Sequence, residues 1–381
     1  MYPTLLKVKK LYSFLDTYLI AISLVIWVLE IGFFSCWLGI KQGPDSFFFL
    51  TFAEKNHFGD PYVDQHYVWY QSYSFLLSLL LKLGTGLSGI VVFQVIVASS
   101  SLYALYDLTK QVSLFPLAPK LALLLYVLWA RSHSWDFYIY TDSLFTSCSI
   151  WCLWFLCTFP SFRSTLLLLP FLIFTCLLRP AGVVLFPLYA FLLCVPLKKT
   201  RWTYYLALGG GCILFFLLLA HILPTFELLA SYRKGEIIYC YPPWHVPVPT
   251  SLSSSPILET SLKNMGQFIF QYPWFFLKLL AAKAVVFIVH AKPFYAGYHN
   301  LFIFCFLSSL YYFFGTGLPY WTNKRSKLIL LYWIVGHLLL VSFTAEDWDG
   351  RFFLPVIPIV IVGASIGITS HAQKTQTCFT S

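Results

Sequence analysis

Long apolar runs separated by short polar turns recur along this chain, several of them near the roughly 20 residues that an α-helix needs to cross a hydrocarbon layer. The pattern predicts membrane spans over 16–40, 89–107, 118–131, 141–159, 164–178, 181–197, 203–223, 300–318, 328–344 and 352–370. Two further apolar stretches, 67–83 and 268–290, mix aromatics with Lys, Gln and Ser, which suits helices lying in the interface as well as spanning ones. The expected fold is all-α: a polytopic bundle of about ten spans with interfacial helices in the first outer loop.

Composition agrees, with 59% hydrophobic, 20% aromatic and 10% charged residues and a mean hydropathy of +0.74. Spans and loops together leave no room for a sizeable soluble domain. Residues 1–381 therefore read as one integral-membrane domain, with 41–88 as the first outer loop and 224–299 as a long outer loop. The net charge of +10 does not point to nucleic acid, because Lys and Arg sit mainly at the ends of apolar runs rather than in a concentrated basic domain. With Lys7, Lys9 and Lys10 inside and neither ambiguous stretch crossing, the basic residues Lys110, Lys120, Arg163, Lys198, Lys199, Arg201, Lys324, Arg325 and Lys327 all fall on the cytoplasmic side. Residues 41–88, 131–141, 179–180, 224–299 and 345–351 then share the opposite face. If 268–290 crossed, the basic loop at 319–327 would move outside, which the charge rule disfavours. The first run, from Tyr18 to Ile40, lacks a persuasive small-residue cleavage site and reads as a retained helix. Eight of the ten cysteines lie within apolar runs, so no disulfide framework is implied.

This topology gathers the polar residues on one face, and ionisable groups beside membrane segments mark sites. Gly43-Pro44 is a turn signal that places Asp45 directly after the first span, where it either takes a proton from a hydroxyl or caps the helix that follows. Asp60 and Asp64 lie further along the same loop. Asp142 stands at the outer start of a span, where a dipole-stabilised cap and a chemical role are equally open. Arg179 precedes Pro180, which disfavours helix at its predecessor and presents the guanidinium between two apolar segments, as a snorkelling anchor or a ligand contact. The turn holding Asp347, Asp349 and Arg351 is solvated or functional; Arg is suited to binding a phosphate bidentately beside a membrane. His299 and Asn300 complete the outer set. Glu30, deep in the first span, reads as a protonated structural group. The histidines are dispersed and no metal motif, P-loop or nucleophile elbow occurs, so neither metal nor cofactor is indicated.

Several of these pieces, in this order, resemble the integral-membrane glycosyltransferases of the GT-C class, the group with protein O-mannosyltransferases and the lipid A aminoarabinose transferase. They are Gly43-Pro44-Asp45-Ser46, the aromatic stretch Trp69 to Leu83, Thr141-Asp142-Ser143-Leu144-Phe145, Leu178-Arg179-Pro180-Ala181-Gly182, Lys292 to Asn300, and Asp347-Trp348-Asp349-Gly350-Arg351-Phe352 to Pro358. The resemblance implies an inverting transfer of a sugar, hexosyl or pentosyl, from a polyprenyl- or dolichyl-phosphate donor to an acceptor hydroxyl on a glycan, lipid or protein. It makes Asp45 the base, Arg351 and Arg179 the binders of the donor phosphate, and Asp60, Asp64, Asp142, His299, Asn300, Asp347 and Asp349 substrate contacts. Members often carry two adjacent acidic residues in the first loop, whereas here Ser46 follows Asp45. The implied membrane is the bacterial plasma membrane or the endoplasmic reticulum. A second class, a transporter or flippase of a lipid-linked sugar, predicts charges lining a path through the bilayer; the pattern instead concentrates them at one face.

Overall fold

The computed structural model describes residues 2–55, 69–159, 161–194, 201–222, 224, 228–239, 241–253, 260–344 and 349–380. Helices dominate: α1 (Tyr2–Trp37), α2 (Pro44–Lys55), α3 (Gln71–Lys82), α4 (Gly86–Val112), α5 (Leu117–Val127), α6 (Ala130–Ser134), α7 (Asp142–Thr158), α8 (Phe162–Leu167), α9 (Leu169–Cys176), α10 (Leu185–Cys194) and α11 (Arg201–Ile222). They continue as α12 (Leu228–Arg233), α13 (Thr250–Ser253), α14 (Leu262–Gln271), α15 (Pro273–Val289), α16 (Gly297–Gly317), α17 (Lys324–Phe343) and α18 (Ile357–Thr380). Among the described residues there is no strand, only isolated bridges.

Among the described residues, four stretches are long and apolar enough to cross a membrane: Asp16–Trp37, Gly86–Val112, Gly297–Tyr320 and Lys324–Phe343. Counting α14 and α15, which meet at 108°, as one broken span makes five. The expectation of about ten is met only to that extent, and the shortfall has a local cause. Run 164–178 is divided at Leu168, before Pro170, and run 181–197 opens as the 3₁₀ turn Pro180–Val184. Proline removes a helix donor and crowds the preceding turn, so these apolar runs fold as short pieces. Run 118–131 ends its helix at Val127. Of the two ambiguous stretches, 67–83 forms the twelve-residue α3, about 18 Å long at 1.5 Å per residue and too short to span.

One apolar core unites α4, α5, α7, α17 and α18, with Trp333, Phe145, Leu105 and Ile361 almost fully buried. α16 and α18 touch backbone to backbone: a Cβ on Gly367 would collide with Phe313 O, and one on Gly317 with Gly363 O. Such small-residue contacts are how helices approach closely where lipid supplies no hydrophobic drive. A satellite cluster of Leu229, Tyr232, Phe268 and Phe276 ties α12 to α14 and α15. Cys148, Cys152, Cys157 and Cys176 are buried free thiols.

Candidate functional site

Two segments far apart in sequence run side by side and carry a carboxylate each. Lys41 N–H donates to Phe137 O at 2.9 Å and Ile139 N–H to Lys41 O at 2.9 Å, pairing 41 with 138 in parallel. Ser46 Oγ then donates to Ile139 O at 2.9 Å and accepts from Gly43 N–H at 3.0 Å. Ser46 is thus a buried stitch. The Tyr140 ring lies close over Gly43, since a Cβ there would stand 2.3 Å from the Tyr140 hydroxyl and displace it. These bonds bring Asp45, in the first turn of α2, and Asp142, the first residue of α7, to one place.

The arginines arrive from two other elements. Arg179 is extended (φ −160°, ψ 139°), as Pro180 demands of its predecessor. Its corner is packed tightly: a Cβ on Gly182 would stand 2.6 Å from Cys176 Cα, and Cys176 Sγ donates to Gly182 O at 3.0 Å. Arg351 opens a 3₁₀ turn, Arg351–Phe353, entered through Gly350 at φ +68°. Only glycine suits that position, because the left-handed backbone and the His290 ring, 2.5 Å from a built Cβ, both exclude a side chain. Around the turn, Arg131 Nη2 donates to Asp349 O at 3.2 Å and lies 3.5 Å from Asp349 Oδ1, Tyr295 OH donates to Asp349 O at 3.3 Å, and Trp333 Nε1 donates to Pro355 O at 2.7 Å.

The result is a chain of alternating charge. Arg351 Nη1 donates to Asp45 Oδ2 at 3.3 Å and lies 3.8 Å from Asp142 Oδ2, while Arg179 Nη1 pairs with Asp142 Oδ1. Asp142 and Arg179 are buried; the Asp45 and Arg351 side chains are 36% and 21% exposed, so the chain runs from interior to surface. Beside it, Phe145, Arg179, Ala181, His337, Leu340, Val341, Arg351, Phe352 and Pro355 line a small cleft. Two cations lining an apolar cleft, next to a part-exposed carboxylate, supply the charge that an anionic group would need.

No known protein-family model matches this chain, and no curated protein does. The site's chemistry therefore rests on its geometry.

The structure places the remaining sequence candidates apart from this chain or in other duties. Asn300 spends both ends of its amide on backbone, accepting from Lys292 N–H at 3.1 Å and donating to Lys292 O at 2.7 Å. That makes it a lock on the 292–300 corner. His299 stacks edge-on against Tyr295 at 4.8 Å. Asp349 is engaged by Arg131, and Asp142, 1% exposed, is an internal counter-ion for both arginines rather than a surface contact. Asp60, Asp64 and Asp347 lie outside the described residues. Among the described residues no group of three or more His, Cys, Asp or Glu side chains could hold a metal.

Three polar residues with parts in this region were missed from sequence. Arg131 is a lone basic residue on a loop assigned to the non-cytoplasmic face, an exception to the charge rule that could have flagged it. His337 is an ionisable group inside an apolar run, the ordinary mark of a site. Asp136, 2% exposed, accepts a hydrogen bond from Ser143 at Oδ1 while Oδ2 has none among the described residues, and burial pushes its carboxyl up to about 8.

Proposed function

We infer that this chain is an inverting, lipid-phosphate-dependent glycosyltransferase of GT-C type. It is a multi-pass protein of about ten spans whose shorter apolar helices complete the bundle, with the site at the outer or lumenal face of a bacterial plasma membrane or the endoplasmic reticulum. One observation carries the reading: a single guanidinium, Arg351, lies within 4 Å of both a part-exposed carboxylate, Asp45, and a buried one, Asp142. Its partners are a polyprenyl- or dolichyl-phosphate sugar, the bilayer, and an acceptor glycan, lipid or protein; no nucleic acid, cofactor or metal is invoked.

In this mechanism the donor phosphate enters beside Arg351 and Arg179, and its oxygens compete with Asp45 for the guanidinium. Asp45 then turns to the acceptor. As the acceptor oxygen attacks the anomeric carbon, its proton passes to Asp45. The anomeric C–O bond breaks with its electron pair on the phosphate oxygen, where the arginines meet the growing charge. Phosphate is a good leaving group, so the second carboxylic acid that glycosidases use is dispensable. Fixed partners around Asp349 and Pro355 keep Arg351 in place through the transfer.

The test is transfer of labelled sugar from polyprenyl-phosphate donors to endogenous acceptors, in membranes holding wild type, Asp45→Asn or Arg351→Gln at matched levels. Asp45→Asn is expected to lose about 10²–10⁴-fold in rate. Undiminished transfer by that variant removes Asp45 as base, and no transfer by wild type from any of several donors overturns the reading.

A further inference from the structure

The cleft beside the charge chain holds one more polar group, and the mechanism above leaves it unused. His337 is 1% exposed on α17 and lines the cleft with Arg179 and Arg351. Its Nδ1 stands 3.1 Å from Trp333 O. A carbonyl only accepts, so Nδ1 carries the proton and, in the neutral ring, Nε2 carries a lone pair. That atom is buried and makes no hydrogen bond among the described residues. Buried polar atoms without partners are rare enough that each calls for a cause.

The surrounding packing holds this arrangement in place. Gly336 lets the turn that follows Arg179 press onto α17, since a Cβ there would stand 2.5 Å from Val184 Cγ1. The ring itself is wedged by Trp333 at 4.0 Å and Phe145 at 6.3 Å. The cleft therefore offers a ligand two cations and one acceptor. A matching head group must be an anion that also bears a proton. A phosphodiester has no such proton at neutral pH, and its oxygens would face the Nε2 lone pair. A phosphomonoester, whose second ionisation is near neutrality, carries one as the hydrogen phosphate.

We propose that His337 makes this cleft selective for a phosphomonoester, sharing one proton with the terminal phosphate while Arg351 and Arg179 hold its charge. The inference rests on the phosphate-binding reading of the site and adds a product state to it. Transfer turns the diester donor into a lipid monoester and leaves a proton on Asp45. That proton balances the new charge once it resides between the phosphate oxygen and Nε2, as hydrogen phosphate with neutral ring or as phosphate with imidazolium. The charged groups facing the pair are Arg179 before its 3₁₀ turn, Arg351 on its own turn, Asp142 at the start of α7 and, through Arg351, Asp45 on α2. His337 thus sets how firmly the spent carrier is held, and with it the rate at which the next donor enters.

The test uses geranyl phosphate and its methyl ester, a monoester and diester of the same chain, titrated by phosphorus NMR against the full-length protein in detergent, with geraniol as the tail-only control. His337→Asn keeps a donor for Trp333 O and removes the cleft atom; His337→Gln restores a polar atom near the Nε2 position that cannot take up a proton. Wild type is expected to prefer the monoester by about tenfold or more, the scale of one hydrogen bond to a charged group. His337→Asn should lose that preference, and His337→Gln should lose the dependence of monoester affinity on pH between 6 and 8. Equal affinity for both esters in wild type and His337→Asn, with loss of both in Arg351→Gln, overturns this inference and leaves the phosphate site standing. Binding of neither ester by wild type overturns both. Monoester preference without sugar transfer in the membrane assay retains the selectivity and removes the transferase.

Discussion

Asp136 and Asp142 lie six residues apart, are both almost fully buried, and live in opposite electrostatic worlds. Asp142 sits between two guanidiniums. Asp136 has a serine hydroxyl and, among the described residues, no ion-pair partner, and its carboxyl is pushed up to about 8 by burial. Around Asp136, Gln94 Nε2 donates to Asp136 O at 2.8 Å and Tyr138 O at 2.9 Å, and Tyr73 OH donates to Gln94 Oε1 at 3.0 Å, a neutral network that joins α3 and α4 to the 135–140 segment. Burial alone makes a carboxyl neutral and structural; buried cations keep one charged and ready to organise an anion site.

The largest effect comes from unbalancing the charged side. Arg179→Gln leaves Asp142 buried with its nearer partner gone, and is expected to cost about 3–5 kcal/mol, seen as loss of folded protein or a steep fall in Tm. Asp142→Asn in the same chain should recover most of that stability without restoring transfer; no recovery would show that the two residues do not act as a pair. Next, Gly350→Ala forces a left-handed alanine against His290 and should cost about 1–3 kcal/mol while lowering transfer through misplacement of Arg351. A variant as stable and active as wild type would remove the turn from the account.

The smallest effect sharpens the neutral side. Asp136 keeps its proton in the folded protein up to about pH 8, whereas the unfolded chain loses it near 4. Its contribution is therefore fully present below pH 4 and is lost as pH rises through 8. Asp136→Asn, which cannot ionise, should flatten the decline of Tm between pH 5 and 8 and leave Tm at pH 5 nearly unchanged. An unaltered pH profile would mean Asp136 is charged in the fold.

Much of the helical character, and Asp45, Asp142, Arg179 and Arg351 individually, could be read from apolar runs and from the turn residues beside them. Their sharing of one face followed from the topology, but the contacts among them could not be read, because the approach of Asp45 to Asp142 depends on main-chain bonds between Lys41 and the 137–139 segment that no side-chain pattern announces. The proline-divided runs 164–178 and 181–197 have the hydropathy of spans and the backbone of short helices, which is why the apolar runs outnumber the long helices among the described residues. The backbone bonds that Asn300 makes to Lys292 were not legible in the sequence, because they depend on the fold of the 292–300 corner. His337 was passed over because its place in the cleft depends on Gly336, a contact between residues more than a hundred positions apart in the chain.

The paired segments 41–46 and 137–142 also decide which kinds of change this site can absorb. Because main-chain rungs set their register and Asp45 follows within the first turn of a helix, inserting or deleting one residue after Lys41 would swing the carboxylate by about 100° around the helix axis. Its distance from Arg351 is in effect a stepped setting, with no neighbouring value to drift into. New donor or acceptor preferences would therefore have to arise by exchanging side chains along the cleft, with loop length here held constant.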